Sequence, residues 1–189
     1  LPGSKHTTGD LAWLRAQGLD CAIADHAARG GRVLGVCGGL QMLGEALIDA
    51  HGIDGNAPGL GLLPLVTAFE PAKTVRRTEA TLGDCNGSHP SPWAALSGLT
   101  VAGYEIHHGQ TCLHPAMQAA GHSATEVLPG LAWMHPRGHI LGLYLHGLFE
   151  DTRVLQALFG TGASGLDPVF EGLADFIDTH FQPGVLDRL

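Results

Sequence analysis

The stretch Arg32–Met42, R-V-L-G-V-C-G-G-L-Q-M, decides the fold. Val33, Leu34 and Val36 form an apolar run with the length of a buried strand, Gly35 and Gly38–Gly39 flank Cys37, and Leu40 to Leu47 reads as a helix. This is the pattern of a nucleophile elbow, G-x-C-x-G in place of the hydrolase G-x-S-x-G. The strand-to-helix turn is pinched, so it needs glycine on either side and holds its nucleophile in a strained conformation. Such a turn lifts the sulfur out of the fold and aims it, with the first free amides of the helix, at a substrate carbonyl. The positive end of the helix dipole favours thiolate, the attacking species. The alternative, a small buried cysteine, has no use for the surrounding glycines.

A cysteine elbow needs a base, which in cysteine proteases and amidases is a histidine near in space and far in sequence. With 12 histidines in the chain, only context selects one. Ile140–Leu145, I-L-G-L-Y-L, is a second buried-strand run, and His146-Gly147 follows at its end. In an open parallel α/β sheet functional groups collect beyond the carboxyl ends of strands, so His146 and Cys37 share one edge. The alternative for His146 is a loop histidine satisfied by backbone.

Outward from these two strands the chain alternates helix and strand. Thr8–Gln17 reads as a helix capped by Thr7 or Thr8 and stopped at Gly18, and Asp20–Arg29 as a second ended by Gly30-Gly31. Ile48–Gly61 reads as a Gly-rich loop. Leu63–Phe69, Thr74–Leu82, Thr100–His107 and Leu131–His135 supply further strands, and Gly83–Pro92 is a turn-rich insertion. Two helices, Thr152–Phe159 and about Asp167–Phe181, separated by a Gly-rich linker, close the chain. The expected class is α/β, an open and mostly parallel sheet with helices on both faces.

Composition sets limits. A chain of 189 residues, 44% hydrophobic and 15% charged, buries a real core as one domain. No apolar run reaches membrane-spanning length and no signal-peptide pattern is present, so a cytoplasmic protein is expected, with no membrane partner. The four cysteines contain no C-x-x-C pair, which argues against structural zinc and a disulfide framework. A formal net charge of -8 with only ten Lys and Arg argues against nucleic acid as a partner. His107, His108 and His114 lack an acid or second cysteine at ligand spacing, so no metal site is expected.

Several motifs, in order, resemble the glutamine amidotransferase domain of the cobyric acid synthases. They are L-P-G-S-K at Leu1–Lys5, G-V-C-G-G-L-Q-M-L-G around Cys37, G-L-G-L-L at Gly59–Leu63, G-Y-E-I-H-H-G at Gly103–Gly109 and Y-L-H-G-L-F at Tyr144–Phe149. The segment Asp10–Asp20, D-L-A-W-L-R-A-Q-G-L-D, favours this family over the cobyrinic acid a,c-diamide synthases and the lipid II amidotransferase subunit. The resemblance implies a flavodoxin-like class I, triad-type amidotransferase in which Cys37 attacks the side-chain amide of glutamine. His146 protonates the departing ammonia and then activates the water that hydrolyses the glutamyl thioester. By position, the amides of Gly38 and Gly3 match the oxyanion hole. Gln41 matches a glutamine-contacting residue, although a helix residue facing solvent also fits. Glu105 and His107 either line the substrate pocket or alternate on the outer face of a strand.

The resemblance also implies what lies outside the chain. The released ammonia goes to a ligase, an ATP- and magnesium-dependent synthetase domain that amidates carboxylates b, d, e and g of adenosylcobyrinic acid a,c-diamide, the corrin partner. No cofactor is expected within residues 1–189. The chain opens on L-P-G, the end of a strand, without methionine, and is read as the C-terminal, N-terminally truncated fragment of a longer enzyme. Roughly two strands and a helix are expected upstream, which leaves the edge near Pro2 exposed. Two other readings fit the elbow. One is another cysteine-elbow amidase or peptidase of the same fold, including the amidotransferase subunit of lipid II isoglutaminyl synthase; the other is a non-catalytic module.

One departure is informative. Many class I amidotransferases carry His-x-Glu, but two residues after His146 stands Leu148. Glu150 is the nearest acid, yet Glu150 and Asp151 also fit the acidic start of the helix at Thr152. A Cys-His pair without Glu150 predicts that His146→Asn lowers glutamine hydrolysis by several orders of magnitude while Glu150→Gln has a far smaller effect. Steady-state kinetics of the two variants decide; equal collapse makes Glu150 a triad member.

Overall fold

Leu11 and Leu14, one helical turn apart, bury a stripe of the first helix, α1 (Thr7–Ala16). Its cap is His6, whose Nδ1 accepts from the Gly9 amide at 3.0 Å. Thr7 and Thr8, the expected caps, instead give their amides to the Asp54 carboxylate at 2.8 Å each. Gly18, at φ 70°, turns the chain into α2 (Leu19–Ala28). The computed structural model describes residues 1–163, 165–182 and 184, in two compact units, 1–148 and 149–189.

In the first unit the chain continues through β1 (Val33–Val36), α3 (Gly38–Leu43), β2 (Ala46–Asp49), β3 (Ala57–Pro58) and β4 (Leu65–Thr81). It then forms β5 (Thr100–Leu113), α4 (Pro115–Ala119), β6 (Thr125–Leu128), β7 (Ala132–Met134) and β8 (Ile140–Leu143). One sheet has the order β1-β8-β7-β6, the other β3-β2-β4-β5. The α/β class stands, and the sheets are mixed: β1–β8 and β2–β4 pair in parallel, while the other four pairs run antiparallel. Short connections such as 135–139 between β7 and β8 permit only antiparallel neighbours, whereas β1 and β8 are far apart in sequence.

Several boundaries differ from expectation. The elbow helix begins at Gly38 and ends at Leu43, because Gly44 packs against β4: a Cβ there would lie 2.8 Å from the Leu65 carbonyl oxygen. The next residues form β2, with Leu47 buried and Ile48 exposed, the alternation of a strand. Leu63–Phe69 and Thr74–Leu82 are parts of one strand, β4, whose register shifts between Ala68 and Lys73. Pro71 sits inside that irregularity, where no ladder donor is required. At the edge near Pro2, Leu1 pairs with β1: its amino group donates to the Leu34 carbonyl at 2.8 Å, and its carbonyl accepts from Val36 N–H at 2.9 Å.

The second unit contains α5 (Thr152–Phe159) and α6 (Asp167–His180). The Asp151 carboxylate caps α5 by accepting from the Arg153 amide at 2.8 Å. Glu150 is exposed in the short 3-10 turn Leu148–Glu150. α6 stops one residue before the expected Phe181, where the backbone becomes extended. Ser164, in the expected linker, lies outside the described residues.

Leu11, Met42, Leu47 and Phe69 form a buried cluster that locks α1, α3, β2 and β4 together, with Ala57 and Leu60 against it. Leu11 is completely buried, so truncation leaves a cavity rather than a dent. Leu11→Ala is expected to lower unfolding free energy by about 2–5 kcal/mol, measured by chemical denaturation.

Candidate active site

β1 and β8 lie side by side in parallel with Val36 opposite Leu143, so the residues following them emerge at one edge. Cys37 comes directly after Val36, and His146 three residues after Leu143. Cys37 has φ 54° and ψ -110°, the only positive φ among the described non-glycine residues. This conformation costs of order 1–3 kcal/mol and persists only where the surroundings over-determine it. Three contacts impose it: Cys37 N–H donates to Leu143 O at 2.8 Å, Gln41 N–H donates to Cys37 O at 3.1 Å, and α3 folds back onto β1. A Cβ on Gly35 would lie 2.7 Å from the Gly39 backbone, and one on Gly38 would lie 2.8 Å from the Ser4 amide nitrogen. The elbow glycines are therefore required by close backbone approach.

A Cβ built on Gly3 would lie 3.1 Å from His146 Cε1 and 3.8 Å from Cys37 Cβ, which places the imidazole, the nucleophile and the Pro2-Gly3-Ser4 loop around one point. The Gly38 N–H faces the sulfur. Cys37, His146, Gly3, Gln41 and His107 all line one cavity of about 670 Å³, together with Thr7, Asp54, Lys73 and Ile106. Cys37 is itself buried, and its Sγ donates to the Ile106 carbonyl at 3.4 Å. Burial pushes the thiol above its ordinary value, and the opposing pull of the Gly38 amide and Lys73 is smaller. The expected thiolate bias of the helix terminus is thus outweighed, because α3 is short and the sulfur is largely out of water.

Gln41 is a buried junction. Its Oε1 accepts from Thr7 Oγ1 at 2.9 Å, and its Nε2 donates to the His108 carbonyl at 3.1 Å and the Tyr144 hydroxyl at 3.2 Å. Both amide hydrogens are therefore committed to the protein. Tyr144 also bonds Thr111, which bonds Thr67. Complete burial pushes the Tyr144 phenol up to about 12, so it remains a neutral donor. His107 stacks on Tyr144 with ring centroids 3.8 Å apart, and its Nδ1 lies 3.1 Å from the Gly109 carbonyl oxygen.

Glu105 is buried but does not line the cavity. Two residues along β5 from His107, its carboxylate accepts from Arg76 Nε at 2.7 Å and Arg76 Nη2 at 3.1 Å, and from Thr78. Burial alone would raise its pKa, but these donors hold it below the usual carboxylate range. Neither Glu105 nor His107 is on a solvent-facing strand surface. His108 contacts the Glu70 carbonyl and His114 caps α4, so the neighbouring histidines have local structural partners.

Residue pattern alone does not disclose Thr7, Lys73, Asp54 or Tyr144 as site residues. Asp54 reaches the site because Asp49 builds the preceding turn, accepting from His51, Asp54 and Gly55 amides at 3.0, 2.7 and 2.6 Å. Those amides overcome the effect of burial and bring Asp49 down to about 2. The D-x-x-x-x-D-G-N spacing at Asp49–Asn56 is the one local signal of this turn.

Residues 1–154 match the family described as the CobB/CobQ-like glutamine amidotransferase domain. The chain belongs to this family. It is 69% identical over 190 residues to a cobyric acid synthase of Variovorax paradoxus (strain S110), covering 100% of this chain and 38% of that protein. It is 69% identical over 189 residues to a cobyric acid synthase of Acidovorax ebreus (strain TPSY), covering 100% and 37%. The chain spans well under half the length of these relatives. Among solved structures, PurLQS from Thermotoga maritima is similar with a TM-score of 0.49 and 15% identity, covering 77% of this chain and 68% of that one. No described helix is long and apolar enough to cross a membrane.

Because burial raises the Cys37 thiol and Lys73 pulls it down, iodoacetamide labelling of Cys37 should rise with pH about a midpoint above that of an unhindered thiol. Lys73→Met should move the midpoint further up. Labelling rates by mass spectrometry test the sign.

Proposed function

We propose that this chain is the glutamine-hydrolysing part of a cobyric acid synthase. The observation that carries the reading is the meeting of the strained Cys37 with His146 at the Gly3 loop, inside a cavity of a glutamine amidotransferase family member. Glutamine enters with its side-chain amide at the sulfur. His146 takes the thiol proton, the sulfur attacks the amide carbon, and the oxygen becomes negative between the Gly38 and Gly3 amides. The Gly3 amide is suited to this, since it donates to no protein acceptor among the described residues.

The C–N bond then breaks as His146 returns the proton to the leaving nitrogen, releasing ammonia and leaving a glutamyl thioester. Water, deprotonated by the same imidazole, hydrolyses the thioester to glutamate and restores the thiol. Gln41 and His107 shape the wall against which the substrate sits, Gln41 through its bonds to Thr7 and Tyr144. No step is assigned to Glu150.

The ammonia is used by a synthetase portion that the full-length relatives have room for beyond the span matched here. There, in the cytoplasm, carboxylates b, d, e and g of adenosylcobyrinic acid a,c-diamide would be amidated at the expense of ATP, with magnesium supplying charge neutralisation for the phosphates. Among the described residues no three His, Cys, Asp or Glu are grouped to hold a metal ion. The high identity to proteins named cobyric acid synthase supports this choice of acceptor.

In the intact enzyme, Cys37→Ser should abolish amidation driven by glutamine and leave amidation driven by ammonium salts within about twofold, since the two chemistries occupy separate sites. Product formation with each nitrogen source, followed by mass spectrometry of the corrin, tests the proposal. Loss of both activities in a folded variant, or no glutamine-dependent activity in the unmodified enzyme, overturns it.

A further inference from the structure

β5 is an edge strand, paired with β4 on one side only. In an antiparallel pair the backbone groups of alternate residues point to opposite sides, so a single parity faces the free edge. That parity is Tyr104, Ile106 and His108, and each of the three carbonyls takes one residue of the site. Tyr104 O accepts from His146 N–H at 2.8 Å, Ile106 O from the Cys37 thiol at 3.4 Å, and His108 O from Gln41 Nε2 at 3.1 Å. Tyr104 N–H also donates to His146 O at 3.0 Å, closing a two-bond bridge. Successive carbonyls of one parity stand about 6.7 Å apart along a strand. The base, the nucleophile and the glutamine-wall residue are thus spaced by one rigid backbone.

His146 needs such a support. Leu148 occupies the position where many class I domains carry an acid, and His146 Nε2 is buried with no hydrogen-bond partner among the described residues. Two side-chain features hold β5 to its task. Gly103 packs so closely under His146 that a Cβ would collide with the His146 carbonyl oxygen. Glu105, between the two edge residues that hold His146 and Cys37, is fixed to β4 by Arg76 and Thr78.

We infer that the free edge of β5 is the positioning element of this amidotransferase site, fixing the backbone of His146 and so the point from which its ring projects, with Gly103 and Glu105 as its positioning residues. The inference rests on the glutaminase reading above. Gly103→Ala pushes the strand away from His146, and a misplacement of about 1 Å at a reacting group lowers rate about a hundredfold. Glu105→Gln keeps the shape and removes the charge that ties β5 to Arg76, giving a smaller effect in the same direction.

The experiment measures glutaminase kcat and KM, and separately the pH dependence of Cys37 labelling by iodoacetamide, for the intact enzyme and for Gly103→Ala, Glu105→Gln, Glu105→Asp and His146→Asn, with thermal melting to establish folding. The expected result for Gly103→Ala is kcat down about a hundredfold with KM within about threefold, and a labelling profile moved toward that of His146→Asn. Glu105→Gln should lose about tenfold in kcat, and Glu105→Asp should recover part of it. Labelling needs no glutamine, so it tests the Cys37–His146 geometry even if the glutaminase reading fails. Folded Gly103→Ala and Glu105→Gln variants with unchanged kcat and unchanged labelling profile overturn the inference. If Gly103→Ala does not fold, Glu105→Gln decides alone: unchanged values overturn it, and a loss confined to kcat supports it.

Discussion

The backbone strain at Cys37 is the constraint on which the rest of this structure depends. A residue with a side chain at φ 54° is held there only if its surroundings over-determine it. Here β1 and β8 fix the approach, the Leu143 carbonyl takes the Cys37 amide, and α3 starts without a spare residue. Gly35, Gly38 and Gly39 follow as necessities of close packing among β1, α3 and residues 1–4. Relieving the strain would carry the sulfur away from the Gly3 loop. The elbow and the cavity it opens into are consequences of one turn.

The second constraint is that the two sheets meet at the site. The Tyr104–His146 bridge is the one isolated β-bridge recorded among the described residues, and it ties the end of the β1-β8 sheet to the edge strand of the other. Catalytic spacing and sheet packing are therefore one property. An edge strand ordinarily has to be protected from pairing with foreign strands; this edge spends its free carbonyls on Cys37, His146 and Gln41. The bidentate Arg76–Glu105 pair is better understood in that setting than as a substrate contact. Removing Arg76 would leave the buried Glu105 carboxylate with Thr78 alone of its two side-chain hydrogen-bond donors.

Around this seam the buried polar groups form a chain. Thr7, Gln41, Tyr144, Thr111 and Thr67 are linked by hydrogen bonds of 2.5–3.2 Å. Each member would be costly to bury alone, and together they satisfy one another and fix rotamers. The network joins the first turn of α1, which follows the Pro2-Gly3-Ser4 loop, to the wall formed by β4, β5 and the residues after β8. Asp49 and Asp54 do similar work from the other side by holding the start of α1. The resulting cavity is lined by neutral groups such as Thr7 and Gln41 together with the charged side chains of Lys5, Asp54 and Lys73.

Glycine spacing and apolar runs determined the strained turn at Cys37, the placing of Cys37 and His146 at the ends of two neighbouring strands, and the α/β class, because these rest on local backbone requirements that only certain residues meet. The helices α1, α2, α5 and α6 were legible from periodicity and stop signals to within a residue or two. Periodicity did not reveal that Leu65–Thr81 is one strand with a break around Pro71, since the break imitates a loop when seen without its partner. Nor did it reveal that Ala46–Asp49 leaves the helix to pair with β4. The capping of α1 by His6, the commitment of Gln41 to Thr7 and Tyr144, and the turning of Glu105 toward Arg76 depend on groups 30 to 100 residues away, or on a loop folded back by Asp54. The same holds for the thiol: a helix terminus favours thiolate locally, but burial opposes it, and burial exists only once the sheets have closed over Cys37. Local sequence supplied the turn at Cys37 and the two strands that lead to Cys37 and His146; tertiary packing decided the burial of the thiol, the spacing of the groups around it and the strand edge that holds them, because those depend on what lies opposite rather than on what lies adjacent.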